Sequence, residues 1–256
     1  MSKRLYLTLF LGLTILLFGY YLAYLLTDFW ATRICQIASI LLSGFFIIGF
    51  NYKALPKKKH DISVRLSLVV PIIIGICGLI ILNHFIPYML YNFLDWEWQD
   101  TIQPKEENPV RFIFLLVVWV FLEEIYFRRV IAQKIFNAKG FSKALWISAL
   151  IFSISHWFST DGLLYIFLGG LALGYVYLQT RSVWMSILAH LTYNLLIFYI
   201  SPKITEQISN FNSTLSVLGF MVLGFLMLLI MVFLLKYLTK DEILKEKPVA
   251  NNTYSK

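Results

Sequence analysis

Residues 112–122 read FIFLLVVWVFL, an unbroken apolar run, and the pair Glu123-Glu124 follows it directly. At a helical rise of about 1.5 Å per residue, the run places Glu123 roughly 16 Å along a helix, near the middle of a hydrocarbon core about 30 Å thick. Inserting one acid at that depth costs at least a few kcal/mol, and two adjacent acids cost more. Such a pair in an apolar helix predicts a functional site inside a membrane protein.

The composition of the chain is typical of an integral membrane protein. Of its 256 residues, 59% are hydrophobic and only 14% are charged, whereas soluble domains carry roughly 25% charged residues. Eight apolar stretches predict membrane-spanning helices, of which the fifth and sixth are short and could be partly re-entrant. The fold class is therefore all-α, a polytopic membrane helix bundle. The predicted spans are 5–27, 31–50, 65–86, 110–132, 143–158, 162–179, 182–200 and 214–238.

The basic residues predict the orientation of these spans. If the N-terminus is cytoplasmic, 18 of the 22 Lys and Arg residues fall in segments on the inner side. The positive-inside rule then places both termini in the cytoplasm. We expect residues 1–240 to form one transmembrane domain and 241–256 to form a disordered cytoplasmic tail. The net charge of +8 follows from this topology and from contact with anionic membrane lipid, so it does not require a nucleic-acid partner.

The two glutamates differ in their predicted partners. Glu124 and Arg128 are four residues apart, so they share a helix face in the order that favours an ion pair. Glu123 lies about 100° away around the helix and has no predicted partner there. A functional role is the default for such an intramembrane acid.

Two histidines and an asparagine add to this site. His156 lies about a dozen residues into the fifth span, and His190 and Asn194 share one face of the seventh. A single histidine in a membrane helix is more often a packing residue. Two of them, with the asparagine and the glutamate pair, predict a polar site inside the bundle.

This set of side chains suits hydrolysis of an amide bond. A glutamate and two histidines can activate water, directly or through a metal, and an asparagine amide can stabilise an oxyanion. All six aspartates fall in loops or at span ends, which argues against an aspartyl protease dyad. Neither the GxSxG motif of serine hydrolases nor the HExxH motif of zinc proteases is present.

Two smaller patterns have structural interpretations. Cys35 and Cys77 are predicted to be packing residues without a disulfide, and Gly170 with Gly174 predicts a close helix contact within the monomer.

At these residues the sequence resembles the CAAX prenyl protease and bacteriocin-processing family of intramembrane endopeptidases, also called the Abi family. That family has a Glu-Glu-x-x-x-Arg, a Phe-x-x-x-His and a His-x-x-x-Asn motif on successive membrane helices. The resemblance covers about residues 110–200. The three motifs read here Glu123-Glu124-Ile-Tyr-Phe-Arg128, Phe152-Ser-Ile-Ser-His156 and His190-Leu-Thr-Tyr-Asn194.

The resemblance implies an eight-helix bundle with a polar cavity that opens to the cytoplasmic side. In the implied division of roles, Glu123 activates water and His156 shares that task. His190 and Asn194 would bind the oxyanion. The implied supporting residues are Glu124, Arg128 and Phe152.

The resemblance leaves the cofactor open, because the family has been described both as metal-free and as zinc-dependent. Only one glutamate and two histidines are available here, which slightly favours a metal-free reaction. If a divalent metal such as zinc binds, the implied ligands are Glu123, His156 and His190.

The implied substrate is a membrane-associated peptide or protein. The compact chain indicates a monomeric protein of a prokaryotic cell membrane, for which a prenylated substrate is not expected. Two other functions stay open: a non-catalytic bacteriocin immunity or regulatory protein on the same fold, and a proton-coupled transporter that uses the glutamate pair.

Overall fold

The computed structural model describes residues 2–49, 65–93, 109–158, 162–208 and 214–240. These residues are almost entirely helical and include no β-strand, which confirms the predicted all-α class. A π-helix, Ile125–Ala132, lies between α4 and α5. The α-helices are α1 (Ser2–Tyr24), α2 (Phe29–Gly49), α3 (Leu66–Phe93), α4 (Pro109–Glu124), α5 (Gln133–Lys139), α6 (Phe141–Ser155), α7 (Leu163–Thr180), α8 (Val183–Ile208) and α9 (Thr214–Leu238).

Six of these helices are long and apolar enough to cross a membrane, so the chain is a polytopic membrane protein. They are α1, α2, α3, α7, α8 and α9. In the described part of the chain, six of the eight predicted spans are therefore helices long enough to cross a membrane. The fifth predicted span is the short helix α6, whose 15 residues reach only about 22 Å. The sixth, α7, has 18 residues and does not need to be re-entrant.

The fourth predicted span, 110–132, is not one continuous α-helix. It changes from α4 to the π-helix directly after Glu124, and the backbone N–H of Gln133 donates to the carbonyl of Arg128, five residues earlier. The π-helix is largely buried and contributes Tyr126 and Phe127 to the core. π-Helical turns are frequent at functional sites, and this one begins at the glutamate pair.

Two apolar clusters organise the bundle. One joins α1, α2, the π-helix, α5, α6 and α7. The other joins α3, α7, α8 and α9. The chemistry-bearing residues lie where the clusters meet, since Phe152 belongs to the first and Ala189, next to His190, belongs to the second.

Glycines allow close helix contacts at two places. A Cβ on Gly170 would lie 3.1 Å from Ala149 Cα, so α7 packs tightly on α6 as the paired glycines predicted. The pair Gly78 and Gly224 does the same for α3 and α9, a contact that the sequence analysis did not identify. The two cysteines are free, as predicted. The predicted tail, 241–256, lies outside the described residues.

Candidate active site

Three separate parts of the chain meet at the glutamate pair. The end of α4 carries Glu123 and Glu124, the residue after α6 is His156, and the middle of α8 carries His190. The two carboxylates and His190 are buried. The side chains of Glu123, Glu124, His156 and His190 therefore come together inside the bundle.

Glu124 is the centre of a buried hydrogen-bond network. Its Oε2 accepts from Arg128 Nε at 3.0 Å, and both side chains are fully buried, which is the predicted ion pair. The same oxygen accepts a hydrogen bond from Ser186 Oγ on α8. Its Oε1 lies 2.9 Å from His190 Nδ1. Glu124 therefore orients His190 as well as pairing with Arg128.

Glu123 has a partner on its own helix, which corrects the sequence-based expectation. Trp119 Nε1 donates to Glu123 Oε1 at 2.8 Å, one turn earlier in α4. The same oxygen lies 3.4 Å from His156 Nε2, and Oε2 lies 3.9 Å from His190 Nε2. Oε2 is thus the carboxylate oxygen that no close donor occupies among the described residues.

The predicted span 143–158 placed His156 within a helix. In the structure, α6 ends at Ser155 and His156 is the residue that follows it. It adopts φ −96° and ψ 18°, so the chain leaves the helix there. Its Nδ1 lies 2.9 Å from the carbonyl oxygen of Phe152 and 3.2 Å from Ser155 Oγ. The end of the helix thereby fixes the ring with Nε2 towards Glu123.

The partners of the two rings define their tautomers. A backbone carbonyl and an ionised carboxylate can only accept, so Nδ1 carries hydrogen in both His156 and His190. When the rings are neutral, each Nε2 therefore presents a lone pair. Both of these nitrogens face Glu123, an arrangement in which a second hydrogen bond sets the orientation of each imidazole.

Phe152 packs against Arg128 and against both histidines. The Arg128 guanidinium lies 4.9 Å from the centroid of its ring. The rings of His156 and His190 lie 4.7 and 6.2 Å from it. The Phe152 ring therefore contacts the Arg128 guanidinium as well as both imidazoles.

The site is nearly closed. Glu123 is 3% exposed and the His156 side chain is 21% exposed, so access is at His156. Asn194 lies one turn beyond His190 on α8 and is partly exposed. It makes no hydrogen bond with the other described residues, which leaves its amide available to a substrate.

Two residues of this network were missed by the sequence analysis. Trp119 and Ser186 each lie four residues before a motif residue, Glu123 and His190 respectively. The spacing was a usable signal for Trp119, because side chains one turn apart on a helix can meet. Ser186 contacts a residue of another helix, which spacing alone does not reveal.

The described His, Cys, Asp and Glu side chains form no group of three or more arranged to hold a metal ion. The set implied as zinc ligands, Glu123, His156 and His190, is therefore not such a group among the described residues.

Comparison with known proteins agrees with the motifs. A family model described as type II CAAX prenyl endopeptidase Rce1-like matches residues 105–196. A protein of Bacillus subtilis (strain 168) named "Putative membrane peptidase YdiL" is 35% identical over 95 residues, which are 37% of this chain and 37% of that protein. The chain thus spans little more than a third of that relative's length. The resemblance to the family is confirmed, and it rests on a segment that excludes α1, α2, α3 and α9.

Proposed function

We propose that this protein is an intramembrane endopeptidase that hydrolyses a peptide bond in a membrane-associated peptide or protein, with water activated by Glu123. The observation that carries the proposal is the convergence of His156 Nε2 and His190 Nε2 on the Glu123 carboxylate, at 3.4 and 3.9 Å. The match of residues 105–196 to a family of endopeptidases supports it.

In the first step, the free Oε2 of Glu123 takes a proton from a water molecule that also donates to His156 Nε2. The water oxygen attacks the carbonyl carbon of the substrate, and the π electrons of the carbonyl move to its oxygen. General-base catalysis of this kind contributes about 10² to 10⁴ in rate.

The oxyanion is bound by His190 and the Asn194 amide. Because His190 Nδ1 is already bonded to Glu124, His190 donates from Nε2 only when both ring nitrogens carry hydrogen. The Glu124 carboxylate stabilises that imidazolium, as the acid of a catalytic triad does. In the second step the carbonyl re-forms, the C–N bond breaks, and the leaving amine takes the proton from Glu123.

We place the enzyme in a prokaryotic cell membrane, as a monomer, with the site reached from the cytoplasmic side. The Lys and Arg distribution supports that orientation. The reaction contains no metal step. If zinc does bind, Glu123, His156 and His190 are the side chains that would hold it, and the zinc would supply a Lewis acid for the water.

The test is cleavage in proteoliposomes of a library of internally quenched peptides with apolar segments, analysed by mass spectrometry. We expect Glu123→Gln to lower the rate about 10² to 10⁴-fold on any bond that the wild type cleaves. Glu246→Gln makes the same chemical change outside the predicted helices and is expected to leave cleavage unchanged. Chelation of divalent metals is expected to have no effect.

Equal cleavage by the wild type and Glu123→Gln would contradict the proposal. If the wild type cleaves nothing in the library but keeps a biological effect that Glu123→Gln also retains, the immunity interpretation gains. Glu123-dependent proton flux without cleavage would favour a transporter. Activity lost on chelation and restored by zinc would overturn the metal-free step alone.

A further inference from the structure

We propose that Tyr20, on α1, is a further residue of this active site and that its hydroxyl holds the attacking water against Glu123. This inference rests on the proposed hydrolysis. It assigns a role in the reaction to a helix outside the segment, 105–196, that matches the endopeptidase family.

The hydroxyl of Tyr20 is buried without a partner. The residue is 9% exposed, and its Oη has no hydrogen-bond partner among the described residues. The other buried tyrosines differ in this respect: Tyr126 bonds Ser43 at 2.6 Å and Tyr177 bonds Gln133 at 2.9 Å. Buried tyrosine hydroxyls normally find a partner, so a molecule bound at the site is the natural partner for Tyr20.

Tyr20 lies against the residue that holds Glu123. Its ring centroid is 6.4 Å from that of Trp119, and Trp119 donates to Glu123 Oε1. Tyr20 and the proposed general base therefore both contact the Trp119 side chain.

Other aromatic contacts join the end of α1 to the turn that begins at His156. Tyr21 and Tyr24 each lie with ring centroids 5.9 Å from Phe158. Phe158 follows His156 by two residues, in the turn after α6. The end of α1 therefore lies beside Trp119, which holds Glu123, and beside Phe158, in the turn that begins at His156.

This placement gives the water a complete set of partners. Water has two hydrogens, which Glu123 Oε2 and His156 Nε2 can accept, and two lone pairs. The Tyr20 hydroxyl donates to one lone pair, and the other is left to attack the carbonyl carbon. Tyr20 neither gains nor loses a proton in the step, since the proton that leaves the water goes to Glu123.

The first experiment is Tyr20→Phe in the peptide cleavage assay, on a bond that the wild type cleaves. We expect kcat to fall about tenfold, the effect of losing one hydrogen bond to the reacting water, with KM unchanged. Tyr24→Phe, on the same helix, keeps its ring contact with Phe158 and is expected to match the wild type. In a Glu123→Gln background, Tyr20→Phe is expected to have no further effect, because both changes act on one water.

Thermal unfolding separates this role from a structural one. Removal of an unpaired buried hydroxyl leaves Tm unchanged or raises it, whereas Tyr126→Phe breaks the bond to Ser43 and lowers Tm. A fall in kcat with unchanged Tm supports the inference. Unchanged kcat, or a fall in kcat matched by a loss of Tm as large as that of Tyr126→Phe, overturns it.

A high-resolution density map of the wild type gives a readout that needs no substrate. We expect a water molecule within about 3.2 Å of both Tyr20 Oη and Glu123 Oε2. A site without that water, or a Tyr20 hydroxyl bonded to another group, overturns the inference even if no cleaved peptide is found. Loss of all wild-type cleavage with this water present would instead count against the proposed function.

Discussion

At the scale of single residues, the two adjacent glutamates have different surroundings because they point about 100° apart on one helix. Glu124 faces the interior and is saturated by Arg128, Ser186 and His190. Glu123 is held on one oxygen by Trp119 and keeps the other without a close donor among the described residues. A carboxylate oxygen without a close donor is the better placed to accept a proton from water, which is why the proposed mechanism uses the first glutamate as the general base.

The Arg128 pair gives a stability prediction at this scale. Arg128→Ala leaves the fully buried Glu124 carboxylate without its cation, and removal of one partner of a buried pair costs about 3 to 5 kcal/mol. We expect a large fall in Tm of the protein in detergent. The neighbouring Arg129 is exposed, so Arg129→Ala, the same change one residue on, is expected to alter Tm little. Equal loss in the two variants would show that the pair does not stabilise the fold.

At the scale of the helices, the site depends on two irregular ends. The change from α4 to the π-helix occurs at Glu124, and α6 stops at His156 so that the Phe152 carbonyl can accept from the ring. Neither end was predicted, because the residues IYFRRVIA and the run before His156 have no proline or glycine that would mark a break. In a regular α-helix the carbonyl of Phe152 would accept the backbone N–H of His156, which would compete with the bond from His156 Nδ1.

The contact between α3 and α9 joins two helices outside the segment that matches the endopeptidase family. A Cβ on Gly224 would lie 2.9 Å from the carbonyl oxygen of Gly78, which is backbone and cannot move aside. We expect Gly224→Ala to destabilise the protein by roughly 1 to 3 kcal/mol through overpacking. Gly219, on the same helix, has nothing within 4 Å of such a Cβ. Gly219→Ala should therefore be neutral or slightly stabilising, since alanine is the better helix former.

Measurement of Tm for both glycine variants checks this contact. A Gly224→Ala protein as stable as Gly219→Ala would mean that α3 and α9 are further apart than described. The comparison is matched in helix, residue type and side-chain change.

At the scale of the whole molecule, the orientation in the membrane is the remaining prediction from the sequence. The predicted orientation places 18 of the 22 Lys and Arg residues on the cytoplasmic side. Lys and Arg near a span resist translocation across the membrane, which is the basis of the positive-inside rule. A green fluorescent protein fused after residue 256 should fluoresce, and alkaline phosphatase at the same position should be inactive. Phosphatase fused after residue 208, before α9, should be active, and the opposite pattern would invert the topology.

The sequence by itself determined that the chain is an all-α membrane bundle, and it predicted which residues form the candidate site. Apolar run length and the spacing of four residues along a helix are local properties, so the spans and the pairs Glu124–Arg128 and His190–Asn194 could be read directly. Three motifs in order identified the family resemblance, which no single motif would have done.

Only the tertiary structure decided which partners surround each of these residues. That Glu124 orients His190, that Trp119 donates to Glu123, and that Tyr20 packs on Trp119 all depend on contacts between side chains that the sequence analysis did not identify. The contacts between helices are fixed by how the helices pack, and the periodicity of each helix contains no distance to its neighbours. The acidic pair marked the candidate site, and the packing around it gave each carboxylate its own set of partners.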